Sequence, residues 1–401
     1  MQKILDFYKR YRFVVFIVLV VFNTALLILL SKQNGNYSEV SWVNNSKLDF
    51  PGLQKYFKDL SENKGGEYAF NVLKNVNLPS GTDVHLLAHT VGDILYKQEK
   101  VEGIKICTDD FRNACSHSIV IGMFIEHGVD AITDIAKACR EAPGGSGAYA
   151  MCFHGLGHGV LAYAQYDMQE AINLCRKVGS AEFNYVESAE CVGGIVMEMV
   201  NGVHDKAAWE KQKDNYFRKD DPLYPCNQGF IPSNARFYCF WYLTPHLWEF
   251  AGGDFSNPVS KDFEAAFKYC SKLSGDKEEF KEACYGGFGK EFVVFASGDI
   301  RKIETMTESQ VKQVYDWCLL AEIKEGVEAC IAQSINSLYW GGERSANSAL
   351  LLCNQIDNPG YKEMCFSHLA GSFNFYKSGM KLHKECQLLP DKYRTICISK
   401  K

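Results

Sequence analysis

Five of the histidines in this chain fall into one repeating pattern. Asp83-Val-His85-Leu-Leu-Ala-His89 and Cys152-Phe-His154-Gly-Leu-Gly-His158 share a single frame, and His117 follows Cys115 at the spacing by which His154 follows Cys152. Histidines at i and i+4 share a helix face and can bind one metal ion. One such pair is common, and a buried histidine usually bonds a backbone carbonyl. Two pairs in one register, with a fifth imidazole between them, point to a metal centre made of His85, His89, His117, His154 and His158. Zinc or iron suits such a set, and copper is a further option. Asp93 continues the first stripe, rotated by about 80°, as an added ligand or a base. His127 and His204 lie off the stripe and read as capping or surface residues. His246, His368 and His383 are isolated.

Carboxylates form a second, sparser set. Counting forward from the second cysteine of each pair, Glu198 and Glu291 occupy equivalent positions, with His246 between them, and Glu126 lies slightly further along its own helix. Paired carboxylates can perform acid–base work on a glycosidic bond. The simpler expectation is an acidic lining for a ligand, with Glu126 or Asp93 serving as general base if the metal site is catalytic.

The elements that must position these groups follow from the sixteen cysteines. They sort into eight close pairs: Cys107–Cys115, Cys139–Cys152, Cys175–Cys191, Cys226–Cys239, Cys270–Cys284, Cys318–Cys330, Cys353–Cys365 and Cys386–Cys397. In the best-patterned unit, Ile132, Ile135 and Ala136 mark one helical face and Cys139 follows. Pro143-Gly-Gly-Ser-Gly147 then breaks the chain, and Cys152 lies one turn into the next helix. Turns that flank the break of a helical hairpin lie side by side, where a disulfide can close. Asp357-Asn-Pro-Gly360, Ser274-Gly-Asp276 and Pro390-Asp391 repeat the plan. An unstapled hairpin is expected before these, with a first helix over 68–76, a break at Pro79-Ser-Gly81 and Asp83 in place of a cysteine. Hairpins that cannot bury a face alone stack on their neighbours. The predicted fold is all-α: an α-solenoid of about nine helical hairpins, eight of them stapled, that could close into a toroid. In architecture it resembles the Sel1-like class of disulfide-stapled helical-hairpin repeats. Cys107–Cys115 has that class's spacing, the other gaps are longer, and its glycine and alanine signature is not clean here.

Residues 13–30 are an apolar run preceded by Lys3, Lys9, Arg10 and Arg12. They predict a single-pass transmembrane signal anchor with a cytoplasmic tail over 1–12. A polar stalk and lead-in over 31–65 and a repeat domain over 66–401 would lie outside the cytoplasm, in a periplasmic, extracellular or secretory-lumen compartment that permits disulfides. Residues 205–235, rich in charge and proline, interrupt the period and read as a surface insertion. The net charge of −5 provides no basic field for nucleic acid. Cys-x2-Cys, His-Glu-x2-His, P-loop and Gly-x-Ser-x-Gly motifs are all lacking. Two functions fit. In one, the concave face of the stack binds a peptide, a glycan or an envelope protein, with the histidines as a structural metal site. In the other, the chain is a metal-dependent enzyme of the cell envelope or secretory lumen.

Overall fold

The computed structural model describes residues 37–399, apart from 80, 109, 144, 181–185, 255–256, 274–277, 341–343 and 378. The predicted anchor 13–30 and tail 1–12 lie outside the described residues. No described helix is long and apolar enough to cross a membrane.

The described chain is all-helical, with about twenty helices and no strand. Local signals start many of them. The Asp83 carboxylate accepts from the Leu86 N–H at the head of the helix Val84–Glu99. Asn358 accepts from the N–H groups of Gly360 and Tyr361, with Pro359 opening the helix behind it. Thr307 and Gln310 form a reciprocal capping box. Each such cap contributes about 1 kcal/mol.

All eight expected disulfides are present, between cysteines 8 to 16 residues apart in sequence. Their Cα–Cα separations span 5.3 to 5.8 Å, and no cysteine is free. Each closes a short loop, for a stabilisation on the order of 3 kcal/mol. This stapled architecture is consistent with the Sel1-like class and places the domain in an oxidising compartment. Two staples depart from the helix-to-helix plan. Cys107 follows a 3₁₀ turn, Lys100–Lys105, and Cys226 sits among turns rather than in a helix.

The second helices of the hairpins run α1 (Val84–Glu99), α2 (Ala114–His127), α3 (Ser146–Tyr163), α4 (Val186–Asn201), α5 (Arg236–Tyr242), α6 (Glu278–Ser297), α7 (Lys324–Leu338), α8 (Pro359–Tyr376) and α9 (Asp391–Ser399). Each packs on the next. The unstapled leading hairpin is present as expected, with Gly66–Asn75 as its first helix and α1 as its second. At the α3/α4 contact the backbones touch. A Cβ on Gly157 would fall 2.0 Å from the Cys191 carbonyl oxygen, and one on Gly194 would fall 1.9 Å from that of His154. No other residue fits at either place.

Residues 205–235 are more ordered than a surface excursion. They contain a helix, Lys206–Tyr216, capped by Asp205. The Trp209 indole donates to the Met199 carbonyl at 2.6 Å, and the Tyr216 hydroxyl accepts from the Met168 N–H at 3.1 Å. Tyr224, Cys226 and Ile231 are buried. Apolar residues spaced among the charges anchor the segment against the stack.

The early hairpins also meet late ones. The Gly81 N–H donates to the Gly298 carbonyl at 2.8 Å. Arg301 donates to the carbonyls of Leu73 and Val76. Arg112 Nη2 donates to Ser337 Oγ at 2.7 Å, across 225 residues of sequence.

Candidate metal centre

The repeat register delivers the expected imidazoles to one place. His85 and His89 come from α1, His117 from α2, and His154 and His158 from α3. His117 stands in the middle, its ring centroid 5.7 Å from those of His85, His89 and His154 and 5.9 Å from that of His158. A sixth imidazole joins them. His204 lies 5.4 Å from His89 and 5.7 Å from His158, centroid to centroid, which corrects its assignment to the surface. It follows Gly202, whose φ of +60° turns the chain at the end of α4 and returns it to the cluster.

The hydrogen bonds fix which ring nitrogen carries each proton. His85 Nδ1 lies 2.6 Å from the Phe111 carbonyl, which can only accept, so Nδ1 is protonated and Nε2 carries a lone pair. His89 Nδ1 lies 3.1 Å from Ser118 Oγ, and that hydroxyl already donates to the His89 carbonyl. His89 Nδ1 is therefore the donor, and its Nε2 is also bare. Yet the two Nε2 atoms face each other at 3.2 Å. On α3, His158 Nδ1 donates to Glu198 at 2.9 Å. Its bare Nε2 lies 3.3 Å from His154 Nε2, which can donate to it, since His154 Nδ1 has no partner, and which also lies 3.3 Å from Met197 Sδ. His204 Nδ1 donates to Glu198 at 2.7 Å, and its Nε2 has no partner. Neither nitrogen of His117 makes a hydrogen bond of good geometry.

Lone pairs of neutral imidazoles repel at such distances, and a buried polar atom without a partner costs about 1–3 kcal/mol. A metal ion between His85 and His89 and against His117 would remove both costs. Two nitrogens bound tetrahedrally at about 2.0–2.1 Å stand roughly 3.3 Å apart, the spacing seen in both pairs. Tying Nδ1 to a carbonyl, hydroxyl or carboxylate while Nε2 points inward is also how metal-binding histidines are oriented.

The electrostatics agree. Burial, reinforced by neighbouring imidazoles, holds His89, His117 and His154 far below the ordinary histidine range. Burial takes His85 down to about 4. These rings are neutral at pH 7 and free to ligate. Glu198 behaves oppositely. Burial raises its pKa, but the His204 charge and the bonds from His158 and His204 outweigh this and keep it ionised. Burial likewise lowers His204, and Glu198 more than offsets it.

Two groups could hold a metal ion: His85, His89 and His117, and His158, Glu198 and His204, with the ligand atoms of each group within 4.8 Å of one another. Within the second group, Glu198 accepts from Tyr166 Oη, the His204 backbone N–H and both imidazoles. Its lone pairs are committed, so it serves better to orient the two histidines than to ligate.

The remaining candidates separate. Glu126 is half exposed and bonds Tyr96 and Lys100, so it is no general base for this centre. Glu291 bonds Lys290. Glu198 and Glu291 thus have different partners and form no catalytic pair. Asp93 keeps solvent contact, bonds Ser118 and lies near His204, at the rim. His127 is on the surface, and His383 is exposed. His368 bonds the Asn336 amide oxygen at 3.0 Å. His246 stacks on Phe217. Surface hollows at Trp42–Leu48 and at Lys281–Gly326 touch no histidine. The sequence signal that would have found His204 is thin: one histidine just past the glycine that ends a second helix. Comparison with known protein families, with curated proteins and with solved structures brought no match.

Proposed function

We propose that this chain is an extracytoplasmic, metal-dependent enzyme whose stapled helical stack holds two transition-metal ions, zinc or iron, on six histidines. His85 and His89 bind one ion, and His158 and His204 the other. His117 stands between them, and His154 completes the second set. The observation that carries this reading is the facing of the bare Nε2 atoms of His85 and His89 at 3.2 Å, each ring held there through its far nitrogen, beside a His117 whose two nitrogens have no partner. A bound ion would supply Lewis acidity or redox chemistry. The protein's own groups orient and shield it: Glu198 aims two imidazoles, and the Phe111 carbonyl and Ser118 aim two more. His85 and His204 are only partly buried, and with Asp93 they give small molecules a way in.

The contacts between residues 73–113 and 298–340 support a stack that closes into a toroid; the apolar run 13–30 would tether it to a membrane. The alternative, a scaffold that binds a peptide, glycan or envelope protein on a concave face, rests on repeat form alone and ranks second.

Elemental analysis of the full-length protein, purified oxidised and without a histidine tag, tests the reading. The expected result is about two metal ions per chain, lost on exchange of His89 and His158 for Ala. Metal-free protein that stays metal-free after exposure to zinc and to ferrous iron would refute it.

A further inference from the structure

Beside the histidines lies a second buried polar group that the metal does not use. Three successive residues, Phe111, Arg112 and Asn113, adopt left-handed backbone at φ 57°, 54° and 64°. Each such residue costs on the order of 1 kcal/mol or more, and a run of three persists only where its contacts require it. The Phe111 carbonyl holds His85. Asn113 Oδ1 accepts from the Trp340 indole at 3.0 Å. Arg112 donates from Nη2 to Ser337 and lies 5.0 Å over the Trp340 ring, while its Nε is shut off from water with no partner.

Other donors around Arg112 are in the same condition. Tyr242 is 3% and Trp241 9% exposed, and neither the Tyr242 hydroxyl nor the Trp241 Nε1 has a partner. Lys290 is 4% exposed and lies 5.1 Å from the Tyr242 ring and 5.8 Å from the Trp241 ring. Arg112 and Lys290 repel each other, and the Arg112 charge also acts on Tyr242. One carboxylate, Glu291, bonds Lys290 and acts at longer range on Arg112. Two neighbouring cationic side chains and three unpaired donors thus share a water-excluded place. Leaving such groups unmatched is costly unless a ligand with several acceptor oxygens and negative charge completes them. The Tyr242 ring lies 4.5 Å from His154, so such a ligand would sit against the metal centre.

We infer that Arg112, Lys290, Trp241 and Tyr242 form a binding site for a small oxyanion, a carboxylate or a phosphate, which presents the substrate to the histidine centre. Arg112 and Lys290 supply charge, and the Tyr242 hydroxyl and Trp241 indole supply directed hydrogen bonds. The binding site itself does not need a metal; calling its ligand a substrate rests on the metal-enzyme reading above.

Isothermal titration of the full-length protein, both metal-loaded and chelator-stripped, with inorganic phosphate and separately with succinate, tests the inference. Saturable binding of one probe is expected in both forms, weakened tenfold or more by Arg112→Gln and several-fold by Tyr242→Phe. The tyrosine exchange leaves the Arg112 contacts to Ser337 and Trp340 in place, so it reports on binding even if the arginine variant misfolds. Whichever of the two probes binds identifies the ligand class. Binding that survives stripping and is lost in these variants would uphold the site even if the metal reading fails. Binding of neither probe would overturn it. So would binding that disappears on stripping yet is unchanged in Tyr242→Phe, since the anion would then sit on the metal.

Discussion

Helices α1, α2 and α3 carry histidine two residues beyond the cysteine position of their hairpins, where α6, α7 and α8 carry Gly286, Ala332 and Ser367. Disulfide staples run through both halves of the chain, but the fate of the polar groups differs. In the later half, Ser334 Oγ bonds the carbonyls of Gly289 and Cys330, and His368 and Ser372 both reach the Asn336 amide oxygen. In the earlier half, imidazole nitrogens face one another at 3.2 and 3.3 Å. A repeat therefore supplies positions, and whether those positions pack or ligate depends on one or two residues per hairpin and on what fixes their far side.

The contrast can be broken most severely at its centre. His117→Ala should remove most of the bound metal, because that ring adjoins four others; mass-spectrometric metal content reads this directly, and His368→Ala should change nothing. Exchange of both cysteines of a staple comes next. Loss of Cys139–Cys152 or of Cys353–Cys365 should each cost about 3 kcal/mol in chemical denaturation, but only the first should weaken metal binding. Glu198→Gln should lower metal affinity by about 10–100-fold, measured by competition with a chromophoric chelator. Placing an imidazole in the later half should not create a site. Ala332→His, at a partly exposed position, should leave the metal count unchanged. The smallest effect concerns acid. Burial holds His246, outside the centre, at about 4, below its unfolded value. Its contribution to stability is complete above pH 6.5 and is lost as the pH falls towards 4, with a slope of at most about 1.4 kcal/mol per pH unit. His246→Phe should flatten the urea-midpoint profile across that window.

Much of the fold was legible because cysteine pairs flank the breaks of eight hairpins and nearest-neighbour pairing is sterically simple. The leading hairpin was legible for a related reason: Asp83 stands where a cysteine would, and it caps the helix that follows. Five of the six histidines were visible because a common register puts them on one stripe. His204 was not, since a turn beyond the helix, rather than the register, brings it in. The role of Glu198 was hidden too. It depends on how closely α3 and α4 approach, which Gly157 and Gly194 permit but which spacing along one chain cannot reveal. The structure of 205–235 was masked by its charge. The Arg112 site had no local signal at all, being completed by residues more than a hundred positions away.

The Arg112–Ser337 bond has a consequence for how the protein comes into being. All six imidazoles have emerged once residue 204 has crossed into the oxidising compartment, with three of the eight cysteine pairs complete. A nascent chain therefore holds its whole ligand set while nearly half of its length is still to be delivered. The arginine must wait for the segment near 337. On the reading proposed above, metal could be captured before the chain is complete, whereas the Arg112–Ser337 contact forms only later.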